Sequence, residues 1–211
     1  MTDALRRWYE RELGWPTAPG APVQLLTGVC FDVLRVPADA GREVLRRVPR
    51  TGPVAVAGPW MLLLVAAGGA DELPGLLDWL EWGGVPLDLT ALGAGGRMPA
   101  PVRHGGPDVP GRSPGPAGRV PQEAAVWLRP PEPGRDLAPA LPAAGLGGDG
   151  GAPDLVRLVG AAATECHRAR LLEARRPLDP QRLPAVRRRQ PLAFSYASRT
   201  VAGTRPRSLT S

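Results

Sequence analysis

The chain of 211 residues is long enough for one domain with a sizeable hydrophobic core and hardly long enough for two. Gly and Pro number 27 each, so we expect a compact core joined by long connections. The two cysteines, Cys30 and Cys166, lie far apart and have no CxxC companion, a spacing that indicates neither a zinc site nor a disulfide framework.

Charge is distributed unevenly along the sequence. Residues 1–167 contain 15 Arg and 18 acidic residues, whereas residues 168–211 contain 11 Arg and only two acidic residues. The net charge of +6 therefore comes from the C-terminal segment, which is typical of an interaction tail and not of a basic groove on the domain. The chain has no Lys, Ile or Asn, so biased codon usage accounts for part of the Arg content.

The first half of the chain alternates between helical and extended patterns. Apolar residues at helical spacing, ended by Gly14 and Pro16, predict an opening helix. The breaker pair Gly58-Pro59 separates two apolar runs that predict a buried hairpin. In chain order, the predicted elements are a helix over 3–13, a strand over 29–36, a helix over 37–48, and hairpin strands over 54–57 and 60–66.

The second half contains two helices, short strands and Gly/Pro-rich loops. Asp71 is predicted to cap a helix that Gly83-Gly84 stops, and Asp154 opens a helix that runs to about Arg175. Strands are predicted over 85–89, 98–102 and 125–128, and loops over 103–121 and 130–153. The order of elements predicts an α+β fold, in which a small mixed sheet is flanked by helices.

The domain organisation follows from these elements. We expect a domain over 1–130, a Gly/Pro-rich linker over 131–153, a C-terminal helix over 154–175 and an Arg/Pro-rich tail over 176–211. The C-terminal helix carries an apolar stripe that should pack on the body of the domain. The tail lacks any periodicity, so we expect it to be disordered in isolation.

The N-terminal residues include several acids and no apolar segment of the kind found in a secretion signal. The longest apolar stretch, Pro59–Gly69, is too short to span a bilayer. The sequence therefore predicts a cytoplasmic protein with reduced thiols and no membrane partner.

Four segments within the first 130 residues form a series. They are the Gly14-Trp15-Pro16 turn after the opening helix, the strand Leu26–Val33, the hairpin Thr51–Leu64, and Pro86–Leu89 followed by Gly95–Pro101. In this order they resemble the N-terminal domain of the bifunctional DNA primase/polymerase family, especially its short actinobacterial-type members. The family resemblance implies an α/β domain that acts in nucleic-acid transactions.

The resemblance implies a polymerase site that has partly degenerated. Active members carry metal-binding acids at positions that match Asp32 and Asp88, so these two residues are the implied catalytic residues and Mg²⁺ ligands. Arg97 matches a weaker candidate for nucleotide contact. This chain has Leu34 where active members usually carry a further acid, and its hairpin lacks their usual His. The resemblance thus implies a DNA primase/polymerase-like protein that acts by binding, with Mg²⁺ and a nucleoside triphosphate needed only if it is active.

The chemistry of phosphoryl transfer explains why the missing acid matters. Two Mg²⁺ ions about 3.5–4 Å apart are held by several carboxylates, which must face one cleft. Asp32 and Leu34 lie on the same face of a strand, so the replacement removes charge from the metal side. A shared site also requires the carboxylates of Asp32 and Asp88 to approach within about 5 Å. The alternatives are that Asp32 binds backbone N–H groups at a strand end and that Asp88 faces solvent.

The tail interleaves arginines with Phe194 and Tyr196, a pattern suited to phosphates and stacked bases. The candidate residues for nucleic-acid binding are Arg187, Arg188, Arg189, Arg199 and Arg205. A solvated, codon-biased tail is the alternative. The second functional hypothesis is a non-enzymatic interaction or regulatory protein, in which the C-terminal helix docks a protein partner and the tail binds an acidic surface.

Three further patterns have both a functional and a structural interpretation. The loop Gly93–Arg97 is either a phosphate-binding loop or a plain turn, and the missing Walker ending favours the turn. Cys166-His167 favours a buried cysteine beside an exposed histidine over a metal site. Three tryptophans are candidates for base stacking, but their apolar surroundings favour a core role: Trp60, Trp79 and Trp82.

Overall fold

The computed structural model describes residues 2–102, 125–134, 137–143 and 153–175. A short 3₁₀ turn, Ala138–Ala140, precedes the last helix. The helices and strands follow in the order α1 Thr2–Glu12, β1 Gln24–Leu26, β2 Asp32–Pro37, α2 Ala38–Arg47, β3 Val54–Ala57, β4 Trp60–Val65, α3 Gly69–Trp79, β5 Thr90–Leu92, β6 Arg97–Pro99, β7 Val126–Arg129 and α4 Leu155–Ala174.

Five of the strands form one sheet in the order β5-β2-β4-β3-β7, and its neighbouring strands are antiparallel. The predicted hairpin β3–β4 lies inside this sheet. Strands β1 and β6 form a separate two-stranded antiparallel sheet. A parallel bridge joins Val102 to Val126 at the edge strand β7. With helices packed against an antiparallel sheet, the predicted α+β class is confirmed.

The side chains of the sheet alternate between two hydrophobic cores. On β2, Leu34 and Val36 belong to one core and Val33 to the other, and all three are fully buried. Successive residues of a strand point to opposite faces, so a strand that is covered on both faces is apolar throughout. This double burial explains the nearly continuous apolar runs of β2 and β4.

Helices α2, α3 and α4 cover the first face of the sheet. Asp154 caps α4, because its Oδ1 accepts a hydrogen bond from the amide of Val156 at 2.8 Å. Arg47 of α2 forms an ion pair with the buried Glu165 of α4 at 2.6 Å. The predicted packing of the C-terminal helix on the body is confirmed by its buried stripe, which consists of Leu155, Leu158, Val159, Ala162, Ala163 and Cys166.

Helix α1, the Gly14-Trp15-Pro16 turn and the small β1–β6 sheet cover the second face. The Tyr9 hydroxyl donates a hydrogen bond to the carbonyl of Pro101 at 2.6 Å and accepts one from the indole N–H of Trp127 at 2.9 Å. Burial raises the pKa of Tyr9 well above its usual value, so the hydroxyl remains a donor. These bonds attach the opening helix to the edge strand β7.

Two predicted boundaries were wrong. Helix α3 begins at Gly69 and is not capped by Asp71, because the side chain of Asp32 on β2 binds amides at its N-terminal end. The segment predicted as a strand over 85–89 is irregular, and β5 follows it at Thr90–Leu92. Pro86 has no amide to donate to a ladder, which disfavours a paired strand there.

Helix α4 belongs to the same compact unit as the sheet. Part of the predicted linker also packs on this unit. Leu141 is buried, and the carbonyl of Pro142 accepts a hydrogen bond from the amide of Ala66 at 2.9 Å. The predicted tail lies outside the described residues.

Helix α2 lies so close to β4 that Gly41 leaves no room for a side chain. A Cβ on Gly41 would lie 2.8 Å from Cβ of Met61. We predict that Gly41→Ala lowers the free energy of unfolding by about 1–3 kcal/mol, because overpacking outweighs a gain of about 1 kcal/mol in helix propensity. Urea denaturation measures the change.

The matched control is Gly75→Ala in α3, where a Cβ would meet nothing within 4 Å. This substitution should raise the free energy of unfolding by about 0.5–1 kcal/mol, because alanine reduces the conformational entropy of the unfolded chain. Stabilisation of both variants to the same extent would contradict the close approach of α2 to β4.

Candidate functional site

Asp32 is the first residue of β2, and only 1 % of it is exposed. Its Oδ2 accepts hydrogen bonds from the backbone amides of Gly68 at 2.8 Å and Ala70 at 2.9 Å. These amides lie at the N-terminal end of α3, where the first N–H groups have no acceptor within the helix. Asp32 therefore caps α3 from a different element of the chain.

Strand pairing brings Asp32 to this helix end. Asp32 lies opposite Val65, the last residue of β4, so the chain that leaves β4 passes beside the carboxylate. Gly68 then takes φ = 90°, a left-handed conformation that glycine adopts without steric cost, and α3 begins at the next residue. The positive end of the helix dipole also favours a carboxylate at this position.

Asp71, predicted as the cap, is exposed in the first turn of α3. A Cβ on Gly93 would lie 3.8 Å from Oδ2 of Asp32 and 3.9 Å from Oδ1 of Asp71, so both carboxylates border Gly93. The two acids are far apart in the sequence, and only the folded structure places both of them beside Gly93. A local sequence pattern therefore carries no signal of their proximity.

Asp88 is exposed and precedes β5. Strand β5 pairs antiparallel with β2, with Thr90 opposite Arg35 and Leu92 opposite Val33. Asp32 adjoins Val33 at one end of this ladder, and Asp88 lies two residues before Thr90 at the other end, so the ladder does not bring the two acids together.

The residues at this strand end do not fit a shared Mg²⁺ site. Asp32 uses Oδ2 for two amides, and its Oδ1 is buried with no hydrogen-bond partner among the described residues. Leu34 is fully buried in the core beneath the helices. In the part of the chain that the structure describes, no group of three or more His, Cys, Asp or Glu side chains could hold a metal ion. Asp32 binds backbone N–H groups at the end of a strand, which was the alternative to its role as a metal ligand.

The loop that precedes β6 is a tight turn against β1. The Thr27 hydroxyl and the Gly96 amide both donate hydrogen bonds to the carbonyl of Gly93, at 2.6 Å and 3.0 Å. A Cβ on Gly28 would lie 2.6 Å from the backbone N of Ala94, so the two segments touch through their backbones. These contacts favour the plain turn. Arg97 follows the loop and is exposed, and its contact with a nucleotide stays a prediction.

Cys166 is buried, as predicted, and its thiol donates a weak hydrogen bond to the carbonyl of Asp88 at 3.8 Å. Burial, aided by the charges of Asp88 and Glu165, raises the pKa of Cys166 to about 12. A thiol with so high a pKa is a poor nucleophile. The ring of Trp82 partly covers His167, at a centroid distance of 5.6 Å. His167 is therefore less exposed than predicted.

Arg35 and Trp60 form a cation–π pair that no sequence pattern pointed to. The guanidinium carbon lies 4.3 Å from the indole centroid, and Nε donates a hydrogen bond to the Thr90 hydroxyl at 3.2 Å. The three side chains come from three strands, so only strand pairing brings them together. Trp82 packs partly against the core, as predicted, whereas Trp79 is 71 % exposed, because it lies at the end of α3.

The predicted nucleic-acid contacts in the tail fall outside the described residues: Arg187, Arg188, Arg189, Arg199 and Arg205. No protein-family model, no curated protein and no solved structure matches the chain. Membership of the DNA primase/polymerase family therefore stays a prediction, as does a cytoplasmic location. Within the described ranges, no helix is both long enough and apolar enough to cross a bilayer.

We predict that Asp32→Ala lowers the free energy of unfolding by about 1–3 kcal/mol, because two amides at the start of α3 lose their buried acceptor. Asp32→Asn keeps one acceptor oxygen and should lose less. The matched control is Asp88→Ala, which should change the free energy by less than about 0.5 kcal/mol because Asp88 is exposed. Urea denaturation followed by circular dichroism measures all three. Equal losses from Asp32→Ala and Asp88→Ala would argue against the cap.

Proposed function

We propose that this protein binds nucleic acid through a primase/polymerase-like domain and an Arg-rich tail, and that it does not polymerise nucleotides. The use of Asp32 as the cap of α3 carries the non-catalytic part of this proposal. Its Oδ2 already accepts two backbone N–H groups and its Oδ1 is buried, so the carboxylate offers no accessible ligand to a metal ion.

The other implied positions support the absence of two-metal chemistry. Such chemistry requires several carboxylates around one cleft. Leu34 is enclosed in the core, and Asp88 lies beyond the opposite end of the β2–β5 ladder from Asp32. The strand end at which the resemblance implies a metal therefore serves to hold α3. On this proposal neither Mg²⁺ nor a nucleoside triphosphate is required.

The charge of the tail supports a nucleic-acid partner. Residues 176–211 contain eight Arg and one acidic residue, Asp179. The planar guanidinium of Arg binds phosphate in a bidentate geometry. Each neutralised phosphate releases counterions, so the affinity of such binding depends on salt. Phe194 and Tyr196 add rings on which bases can stack. The proposed contacts are Arg187, Arg188, Arg189, Arg199 and Arg205.

A second candidate function is non-enzymatic protein interaction, and the exposed apolar residues of α4 favour it. Leu171 and Leu172 are 50 % and 59 % exposed near the C-terminal end of this helix. A partner helix or sheet could cover them while the tail binds an acidic protein surface. This function predicts partner binding that persists at high salt through the apolar contact of Leu171 and Leu172, and no retention of nucleic acid at low salt.

Primer extension and fluorescence anisotropy together test the proposed function. We expect no extension by the wild-type protein with nucleoside triphosphates and Mg²⁺. Anisotropy should show binding to oligonucleotides that weakens steeply with salt. Replacing Arg187, Arg188 and Arg189 by Gln should weaken binding at least about tenfold and reduce the salt slope by about 2, as expected for three lost phosphate contacts.

The control removes the same charge from exposed positions of the domain, by replacing Arg11, Arg157 and Arg168 with Gln. It should weaken binding far less than the tail variant. Template-dependent extension that Asp32→Ala abolishes would overturn the non-catalytic proposal. Failure of the wild-type protein to bind any oligonucleotide at low salt would favour protein interaction.

A further inference from the structure

One corner of the five-stranded sheet presents Arg35 on a fixed support. Its guanidinium lies on the ring of Trp60, and its Nε binds the Thr90 hydroxyl. We call these three side chains the Arg35 platform. Arg35 and Trp60 are half-buried and Thr90 is exposed, so the platform is accessible to solvent.

The strand register shows why this corner is open. Trp60 lies opposite Pro37 on β2 and Ala57 on β3, and all three residues of this row are only partly buried. Towards the other end of the same face, Val33 and Leu64 lie opposite each other and are fully buried beneath the α1 layer. Leu62, which lies opposite Arg35, is still buried in the second core, so the covering layer ends beside the platform and leaves the Trp60 row open.

The support leaves the binding edge of Arg35 free. Nε donates to the Thr90 hydroxyl, and the guanidinium lies over the Trp60 ring. Nη1 and Nη2 have no hydrogen-bond or ion-pair partner among the described residues. By contrast, the arginines of α2 are paired with acids: Arg42 with Asp39, Arg46 with Glu43, and Arg47 with Glu165. Nη1 and Nη2 are the edge with which arginine binds phosphate through two parallel hydrogen bonds.

We propose that the Arg35 platform binds a phosphate of single-stranded nucleic acid, with the adjacent base stacked on the outer face of the guanidinium. This inference rests on the proposed nucleic-acid function and assigns a contact to the folded domain in addition to the tail. Trp60 and Thr90 already restrict the Arg35 side chain, so less conformational entropy is lost when the phosphate binds.

The shape and chemistry of the platform favour a single strand over other anions. Bases stack on arginine planes and on aromatic rings, so a nucleotide gains from contact with Trp60 and Arg35 as well as from the charge. A protein carboxylate forms the same two hydrogen bonds with Nη1 and Nη2 but brings no ring to stack. The open row beside Trp60 suits a flexible strand that lies across it.

Anisotropy with a labelled oligothymidylate of about 15 nucleotides, which exceeds the span of one small binding face, tests the inference in the full-length protein. Arg35→Gln should weaken binding about tenfold and reduce the salt slope by about 0.7, as expected for one lost charge-assisted phosphate contact. Arg35→Lys keeps the charge without the planar fork and should remain about threefold weaker than wild type.

The matched control is Arg157→Gln on α4, which removes the same charge from an exposed residue on the helical side of the sheet. It should weaken binding by less than about twofold. Thr90→Val removes only the hydroxyl that positions Nε, and should weaken binding about two- to threefold without loss of the near-ultraviolet circular dichroism of the folded protein.

The outcomes separate the platform from the function on which it rests. Equal effects of Arg35→Gln and Arg157→Gln would overturn the platform and leave nucleic-acid binding by the tail intact. Absence of binding by the wild-type protein would overturn both. Residual binding in the tail variant that Arg35→Gln removes would support the platform independently of the tail. Competition by polyglutamate that equals that of unlabelled oligothymidylate would overturn the assignment to nucleic acid.

Discussion

The contact between the Asp32 carboxylate and the first amides of α3 joins the sheet to its helical layer. Because β2 and β4 are neighbours, the turn that follows β4 delivers the positive end of a helix to the buried end of β2. Neither the carboxylate nor the amides can be left unpaired at low cost, since a buried polar group without a partner costs roughly 1–3 kcal/mol. The orientation of α3, and with it the burial of Leu73 in the core, depends on this pairing.

The same contact is the basis for proposing binding without catalysis. A carboxylate that is enclosed and bonded to a helix end cannot also supply open coordination positions to two metal ions. The face of β2 that carries Leu34 is covered by the helices, so Leu34 lies in the core and not at a cleft. On the proposed function, recognition of phosphate falls to arginine, which needs neither metal nor a dry cavity. Arg35 on the open corner of the sheet and the arginines of the tail are suited to that task.

Local signals predicted most of the elements, and long-range contacts account for what they missed. The β3–β4 hairpin was predictable because Gly58-Pro59 separates two apolar runs, and α4 because Asp154 precedes a helical stripe. The start of α3 was wrong, since its cap comes from a strand 36 residues earlier, and no pattern within the helix reveals that partner. The separation of Asp32 from Asp88 depends on the register of β5, a strand too short to show a period. The meeting of Arg35 with Trp60 depends on the long-range pairing of β2 with β4, so no local pattern predicted it either.

Amide hydrogen exchange at Gly68 and Ala70 measures the central contact directly. Amides in the first turn of a helix ordinarily exchange fast, because they have no acceptor within the helix. If Asp32 caps α3, both amides are protected in the wild-type protein to an extent comparable with the β2–β4 ladder, and Asp32→Ala exposes them while the ladder stays protected. Fast exchange at both amides in the wild type, or protection that Mg²⁺ abolishes, would show that the carboxylate is free to bind metal and would contradict the cap.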